Sequence, residues 1–357
     1  MIKRLNRKKV TVGDVPIGGE SPISIQSMTS TPTTDLAATL AEVQRLEQAG
    51  CDIVRIGVPN LDSVRAIEKI IPQVGVPIVA DIHFDYRIAL AVLEVGIAKL
   101  RLNPGNIGSP DRVEKVVTKA KAAGVPIRIG VNAGSLEPDL LEQYNYPTPE
   151  ALAESAMRHI KILEALDFYD IVLSLKASAV PLTVEACRLI AGQCDYPLHI
   201  GISEAGTGES GIIYSSVGLG ILLSEGIGDT IRVSLTAPVE DEVRVAKRIL
   251  ASLEIQSSMP RVISCPTCAR NHLDLISIAQ EVERRVADLK KPISIAVMGC
   301  AVNGPGEARE ADFGIAGGDG AGLIFAKGEI IRKVPENQLI DELEKEIRNR
   351  IDVDEGN

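Results

Sequence analysis

Three cysteines carry the first chemical signal. Cys265 and Cys268 stand in "SCPTCAR", and Cys300 stands in "VMGCAVNGPGEARE", where an apolar run meets a glycine-rich turn. A Cys-x-x-Cys pair alone serves as a dithiol redox couple, half a zinc site or half an iron–sulfur site. A third cysteine at a strand-to-turn junction favours metal, and three thiolates leave one coordination position to fill. His272, four residues beyond Cys268, would complete a zinc site. Glu307 is the other choice: the two glycines and the proline of "AVNGPGE" let the chain fold tightly back and return its carboxylate toward the metal. Cys51, Cys187 and Cys194 lie in apolar, repeated segments and read as small buried hydrophobes.

A second set of reactive groups is cationic. Reading the ends of successive apolar runs gives Arg55, then Asp81 and His83, Arg101 and Asn103, Arg128 and Asn132, Lys176, Glu204, and Arg232 with Ser234. A charge embedded in an apolar strand is costly without a partner. Asp81, Glu204 and Asp85 are the acids at hand, too few to balance four arginines and a lysine. The surplus calls for an anion of several charges, and the arginine fork suits phosphate oxygens. A diphosphate fits better than a carboxylate.

Eight similar elements must hold these groups. The runs "SPISIQSM", "CDIVRIGVP", "VPIVADIHF", "IAKLRLNPG", "VPIRIGVNAG", "YDIVLSLKAS", "YPLHIGISEAG" and "GDTIRVSLTA" lie between residues 23 and 234. Each is short, apolar and β-branched, as a buried parallel strand requires. Helix-like stretches between them stop at Gly, as in "EQAGCD", "EVGIAK" and "KAAGVP". Eight β-α units in about 250 residues predict a closed (β/α)8 TIM-type barrel over 1–256, whose C-terminal strand ends gather the cationic set at one face. No GxGxxG follows the first strand, which argues against an open doubly wound sheet. "PVEDEVRVAKRILASL" reads as the last barrel helix and "EIQSSMP" as a linker. A smaller α+β domain over 257–357, built around the cysteines, follows.

Composition excludes several classes. The net charge of −10 and 3% aromatic content speak against nucleic-acid binding. No run of about 18 apolar residues exists, so no membrane span is expected. The basic N-terminus lacks the apolar core of a secretory signal. Six cysteines without an export signal suggest the reducing cytoplasm.

From "SIQSMT" through the eight runs to "CPTC" and "MGCAVNGPGE", the chain resembles the 4-hydroxy-3-methylbut-2-enyl diphosphate synthase family of the non-mevalonate pathway of isoprenoid (terpenoid) biosynthesis. The resemblance runs the full length, and no long insertion separates barrel from cysteine domain, as in the bacterial two-domain form. It implies an oxidoreductase with a 4Fe–4S cluster held by Cys265, Cys268, Cys300 and Glu307. It implies reductive ring opening of 2-C-methyl-D-erythritol 2,4-cyclodiphosphate with loss of a hydroxyl as water, the electrons arriving singly from ferredoxin or flavodoxin. Arg55, Arg101, Arg128, Asn132, Lys176, Glu204, Arg232 and Ser234 correspond to a substrate-binding set, to which Asn303 of the cysteine turn is added. Glu204, Asp81 and His83 are the candidate proton donors to the departing hydroxyl. The two rival classes are a zinc-dependent barrel phosphohydrolase and a non-enzymatic iron–sulfur redox sensor. The short linker predicts a head-to-tail homodimer: Glu254 to Arg261 spans at most about 26–29 Å, which barely returns along an eighth helix of about 24 Å.

Overall fold

The computed structural model describes residues 2–257, 259–269, 271, 273–300, 310–318 and 320–355, with side chains to 351. By its contacts the chain divides into two compact units, Met1–Gln256 and Ser257–Asn357.

The first unit opens with a hairpin, β1 (Val10–Val12) and β2 (Val15–Ile17), turned at Gly13 with φ 61°. Glycine is the residue for this first turn position, where φ must be positive. Then come eight parallel strands: β3 (Ser24–Met28), β4 (Ile53–Gly57), β5 (Ile78–Asp81), β6 (Lys99–Leu102), β7 (Ile127–Asn132), β8 (Ile171–Lys176), β9 (His199–Ile200) and β10 (Thr230–Ile231). Their spatial order is β8-β7-β6-β5-β4-β3-β10-β9, and a parallel bridge between Leu173 and Leu198 joins the two ends. The barrel is therefore closed, and each of the eight apolar runs supplies one strand.

Helices α1 (Leu36–Gln48), α2 (Leu61–Ile70), α3 (Tyr86–Glu94), α4 (Pro110–Ala123), α5 (Pro138–Tyr144), α6 (Pro149–Glu164), α7 (Val180–Gln193), α8 (Gly208–Ser224) and α9 (Val239–Ser252) connect or follow the strands. Local chemistry sets their ends. Thr148 caps α6 by accepting from the Ala151 N–H at 3.1 Å, with Pro149 at the first helical position. Gly124 closes α4 at φ 64°, and Gly50 and Gly96 are left-handed after α1 and α3. On α6, Leu152, Ala156, Ile160 and Leu163 recur every three or four residues and are buried on the barrel core. Each such large side chain contributes about 1.5–3 kcal/mol of burial.

The opening hairpin has a structural duty that its sequence did not announce. Val12 and Ile17 are fully buried against Ile53 and Val79, at the end of the barrel where the strands begin. They close that end with apolar side chains.

The second unit is a five-stranded sheet in sequential order: β11 (Arg261–Ser264), β12 (Ser294–Met298), β13 (Phe313–Gly317), β14 (Ala321–Ala326) and β15 (Glu329–Pro335). The first three are parallel and the last two turn back antiparallel. Helices α10 (Leu275–Val286) and α11 (Leu339–Glu355) share one core with the sheet through Ile278, Val282, Leu343 and Ile347. This is the mixed α+β layer that the sequence suggested.

Candidate active site

The parallel register determines which strand residues meet. Side chains of paired residues on parallel strands point to the same side. Met28 pairs with Arg55, Arg55 with Val79, Asp81 with Arg101, Arg101 with Arg128, and Asn132 with Lys176. The register therefore turns the whole cationic set inward, near the strand ends. There a polar cavity is lined by Arg55, Asp81, His83, Arg101, Arg128, Gly130, Asn132, Ser174, Lys176, Ser203, Arg232 and Ser234. It brings together nine of the strand-end residues singled out above.

Its charges are unevenly paired. Arg101 Nη1 donates to Asp81 Oδ1 at 3.0 Å, and Arg55 Nε lies 3.7 Å from Asp81 Oδ2. Burial would push the Asp81 carboxyl up, but Arg55 and Arg101 hold it below the usual range, so it is ionised at neutral pH. Arg232 is held from outside the strands: its Nε and Nη2 donate to Glu242 of α9, both at 3.3 Å. Glu242 also accepts from Ser27 Oγ at 2.7 Å and from the Leu235 N–H at 3.1 Å. Arg128 is 1% exposed, and its Nε and Nη1 have no hydrogen-bond partner among the described residues. Burial, then Arg55 and Arg101, push its pKa well down. Lys176 is pushed well below its ordinary range by burial and then by Arg128 and Arg232. Such crowding is expensive in an empty site and favourable once a polyanion enters it.

Glu242 is the acid that sequence reasoning missed. Its signal is a glutamate on the apolar face of "PVEDEVRVAKRIL", beside Val239, Val243 and Ala246. Asp85 has a different duty: it caps α3 and pairs with Arg87 at 2.8 Å, outside the cavity lining. Asn103 is buried and accepts from the Gly105 N–H at 3.3 Å. Glu204 lies beyond β9, exposed and outside the cavity lining, with φ 54°. A non-glycine residue in that region carries strain, which is common at functional loops.

Gly130 and Gly201 were also overlooked. A Cβ on Gly130 would stand 2.7 Å from Arg101 Nε, and one on Gly201, just past β9, would collide with the Arg232 carbonyl oxygen and stand 2.9 Å from Lys176 Nζ. Glycine inside a strand marks such a close approach. Gly130→Ala is expected to swing Arg101 off Asp81. Substrate KM should rise roughly tenfold, the scale of one charge-assisted hydrogen bond of about 1.5–3 kcal/mol. Steady-state kinetics of the variant, with circular dichroism to confirm the fold, checks this.

In the second unit, Cys265 directly follows β11 and Cys300 follows β12 by two residues. These strands are parallel neighbours, so both cysteines sit at the same end of the sheet. The Gly299 N–H donates to Cys265 Sγ at 3.3 Å, a contact that stabilises sulfur carrying negative charge. Cys300 is buried, Cys265 half-buried and Cys268 exposed. Among the described residues no group of three His, Cys, Asp or Glu side chains gathers as a metal site. Glu307, Asn303 and His272 lie outside the described residues. The donor chemistry present, soft sulfur on adjacent strand ends with an amide aimed at one of them, suits an iron–sulfur cluster.

The chain matches the GcpE TIM-barrel domain over residues 7–247 and the GcpE protein C-terminal domain over 261–349. It belongs to the GcpE family. Relatives named 4-hydroxy-3-methylbut-2-en-1-yl diphosphate synthase (flavodoxin) are 56% identical over 347 residues. That of Bacillus mycoides (strain KBAB4) is matched over 97% of this chain and 95% of its own. For Geobacillus thermodenitrificans (strain NG80-2) the shares are 97% and 93%. Among solved structures, the N-acetylneuraminic acid synthetase of Leptospira borgpetersenii aligns with TM-score 0.50 and 12% identity, over 78% of this chain and 96% of its own. At that identity the likeness concerns the barrel fold alone. Membership of the GcpE family places the cationic barrel mouth and the cysteine unit in one enzyme. No helix among the described residues is long and apolar enough to cross a membrane.

Proposed function

We propose that this chain is a 4-hydroxy-3-methylbut-2-enyl diphosphate synthase. It opens the ring of 2-C-methyl-D-erythritol 2,4-cyclodiphosphate reductively, removes one hydroxyl as water, and takes its electrons from flavodoxin. The observation that carries the reading is the barrel-mouth cavity, where four arginines and Lys176 face one ionised acid, Asp81. In this reading Arg55, Arg101, Arg128, Lys176 and Arg232 hold the diphosphate, with Asn132, Ser234 and Asn303 as neutral partners. Cys265, Cys268, Cys300 and Glu307 would hold a 4Fe–4S cluster. When bound, the cluster supplies one-electron reduction and, at the iron held by the harder carboxylate, an exchangeable position. The cytoplasm, where thiols stay reduced, suits this ligand set.

The test is anaerobic purification followed by assay with the cyclic diphosphate and reduced flavodoxin. A brown protein that forms the linear diphosphate supports the reading. A colourless zinc protein that releases phosphate, or a brown protein that neither binds nor converts the cyclic diphosphate, defeats it.

Proton delivery is assigned to Glu204, with His83, which lines the cavity, as the second candidate. Asp81, ionised between two arginines, serves better as their anchor. Glu204→Gln should bind substrate within a few-fold of wild type and lose at least roughly 100-fold in kcat, the range of a lost general acid. Weakened binding with near-normal turnover would instead make Glu204 an ion-pair partner.

The working assembly is a head-to-tail homodimer in which each cysteine unit serves the partner's barrel. Two features support it: the short linker, and the apolar groove between α7 and α8. There Ile213, Tyr214 and Val217 are about half exposed beside Val180, Pro181 and Val184. Chains carrying Arg128→Ala and chains carrying Cys300→Ser, each inactive, should regain activity when mixed and allowed to exchange subunits. Confirmed heterodimers without activity would end this assembly.

A further inference from the structure

Below the cationic ring the barrel interior stays polar. Ser24, Thr230 and His199 pair across β3, β10 and β9 and so point the same way. His199 Nδ1 lies 3.4 Å from Thr230 Oγ1. Gln26 pairs with Ile53, and Lys99 pairs with Val79. Ile53 and Val79 belong to the apolar plug beneath, so Gln26 and Lys99 face the interior just above it. Ser24, Gln26, Lys99 and His199 are at most 4% exposed. Yet Ser24 Oγ, both amide atoms of Gln26, Lys99 Nζ and His199 Nε2 have no hydrogen-bond partner among the described residues. Buried polar groups rarely go unpaired, and such a concentration marks a place built for something polar to enter.

We propose that Lys99 and His199 form a second, deeper tier of the substrate site, which takes up a proton when a polyanion binds in the ring above. This rests on the ring being a diphosphate site. Burial this deep disfavours the charged forms of both an amine and an imidazole. The surrounding charges push the same way. The ring above carries Arg55, Arg101, Arg128, Lys176 and Arg232 against Asp81, with Glu242 behind Arg232, and of these Arg55 and Arg128 act on both groups and Lys176 on His199. Burial first, and then Arg128 and Arg55, push Lys99 well below its ordinary range. Burial, and then Lys176, Arg128 and Lys99, do the same to His199. A dianion in the ring offsets most of that surplus positive charge, so the proton affinity of this tier rises on binding. Linkage then requires that affinity fall as pH rises through the pKa of the bound form.

The experiment is titration calorimetry of the full chain without reductant, in buffers of different ionisation enthalpy at pH 7.5. The probe is 2-C-methyl-D-erythritol 2,4-cyclodiphosphate, whose phosphates each keep one strongly acidic oxygen and bring no titrating proton. Sulfate serves as a second non-titrating anion. Wild type should take up roughly 0.5–1 proton per anion bound. Lys99→Met or His199→Gln should at least halve that uptake while binding persists. Should Lys99→Met fail to fold, Lys99→Gln replaces it and keeps a polar group in the tier. No uptake by wild type overturns the proposal. So does full uptake in both the Lys99 and His199 variants, which would place the proton on Lys176. If only sulfate binds, and its uptake depends on Lys99, the second tier stands and the proposed substrate falls.

Discussion

Cys300→Ser is expected to leave a folded protein with little iron and no measurable turnover. The side chain is buried two residues beyond β12, next to the strand that presents Cys265. Serine is nearly isosteric there, so the sheet and its core of Ile295, Val297 and Ile315 should survive. A hydroxyl is a hard, poorly acidic donor and does not replace a thiolate on iron. The loss should exceed the 10–100-fold usual for an outer-shell partner of a metal site. Iron and sulfide content, the visible spectrum and turnover are the measurements. Cys187→Ser is the control: Cys187 is buried in the barrel with its thiol pushed up to about 12, and it should change neither content nor rate. A Cys300→Ser protein with a full complement of iron and sulfide would remove Cys300 from the ligand set.

Arg128→Met should separate stability from binding in opposite directions. The substitution keeps much of the volume and removes a charge that is 1% exposed, has no hydrogen-bond partner for two of its nitrogens among the described residues, and is crowded by Arg55 and Arg101. Replacing a buried, poorly compensated charge by an apolar side chain is often neutral or stabilising. Without ligand, the melting temperature should therefore stay level or rise by about 2–4 °C. The dissociation constant for the cyclic diphosphate should rise roughly 10- to 150-fold, the equivalent of about 1.5–3 kcal/mol for a charge-assisted phosphate contact. Differential scanning fluorimetry with and without ligand reads both effects. A large drop in stability with unchanged affinity would make Arg128 a structural residue. Loss of iron on the scale of Cys300→Ser would break the division of labour between the two units.

The eight strands and the nature of their end residues were legible in the sequence, because a parallel strand buried on both faces writes itself as an unbroken β-branched run. Gly50, Gly96 and Gly124 were legible for a similar local reason, since helix ends select residues that tolerate a left-handed backbone. Cys265, Cys268 and Cys300 were legible as chemistry through residue type and spacing.

Other features depend on partners distant in sequence. Glu242 reaches Arg232 and Ser27 only because α9 packs against β3, beside which β10 lies in the barrel. Gly130 makes room for Arg101, and that clash exists only after β6 and β7 come into register. The hairpin Val10–Ile17 is short and ordinary until the barrel offers Ile53 and Val79 for it to cover. Lys99, Gln26 and His199 each look like single polar residues in separate strands. The sequence by itself determined the repeating elements and the kinds of chemistry they carry. Only the closed barrel, through shared register and mutual burial, decided which charges are paired, which are left facing one another, and where an anion is needed.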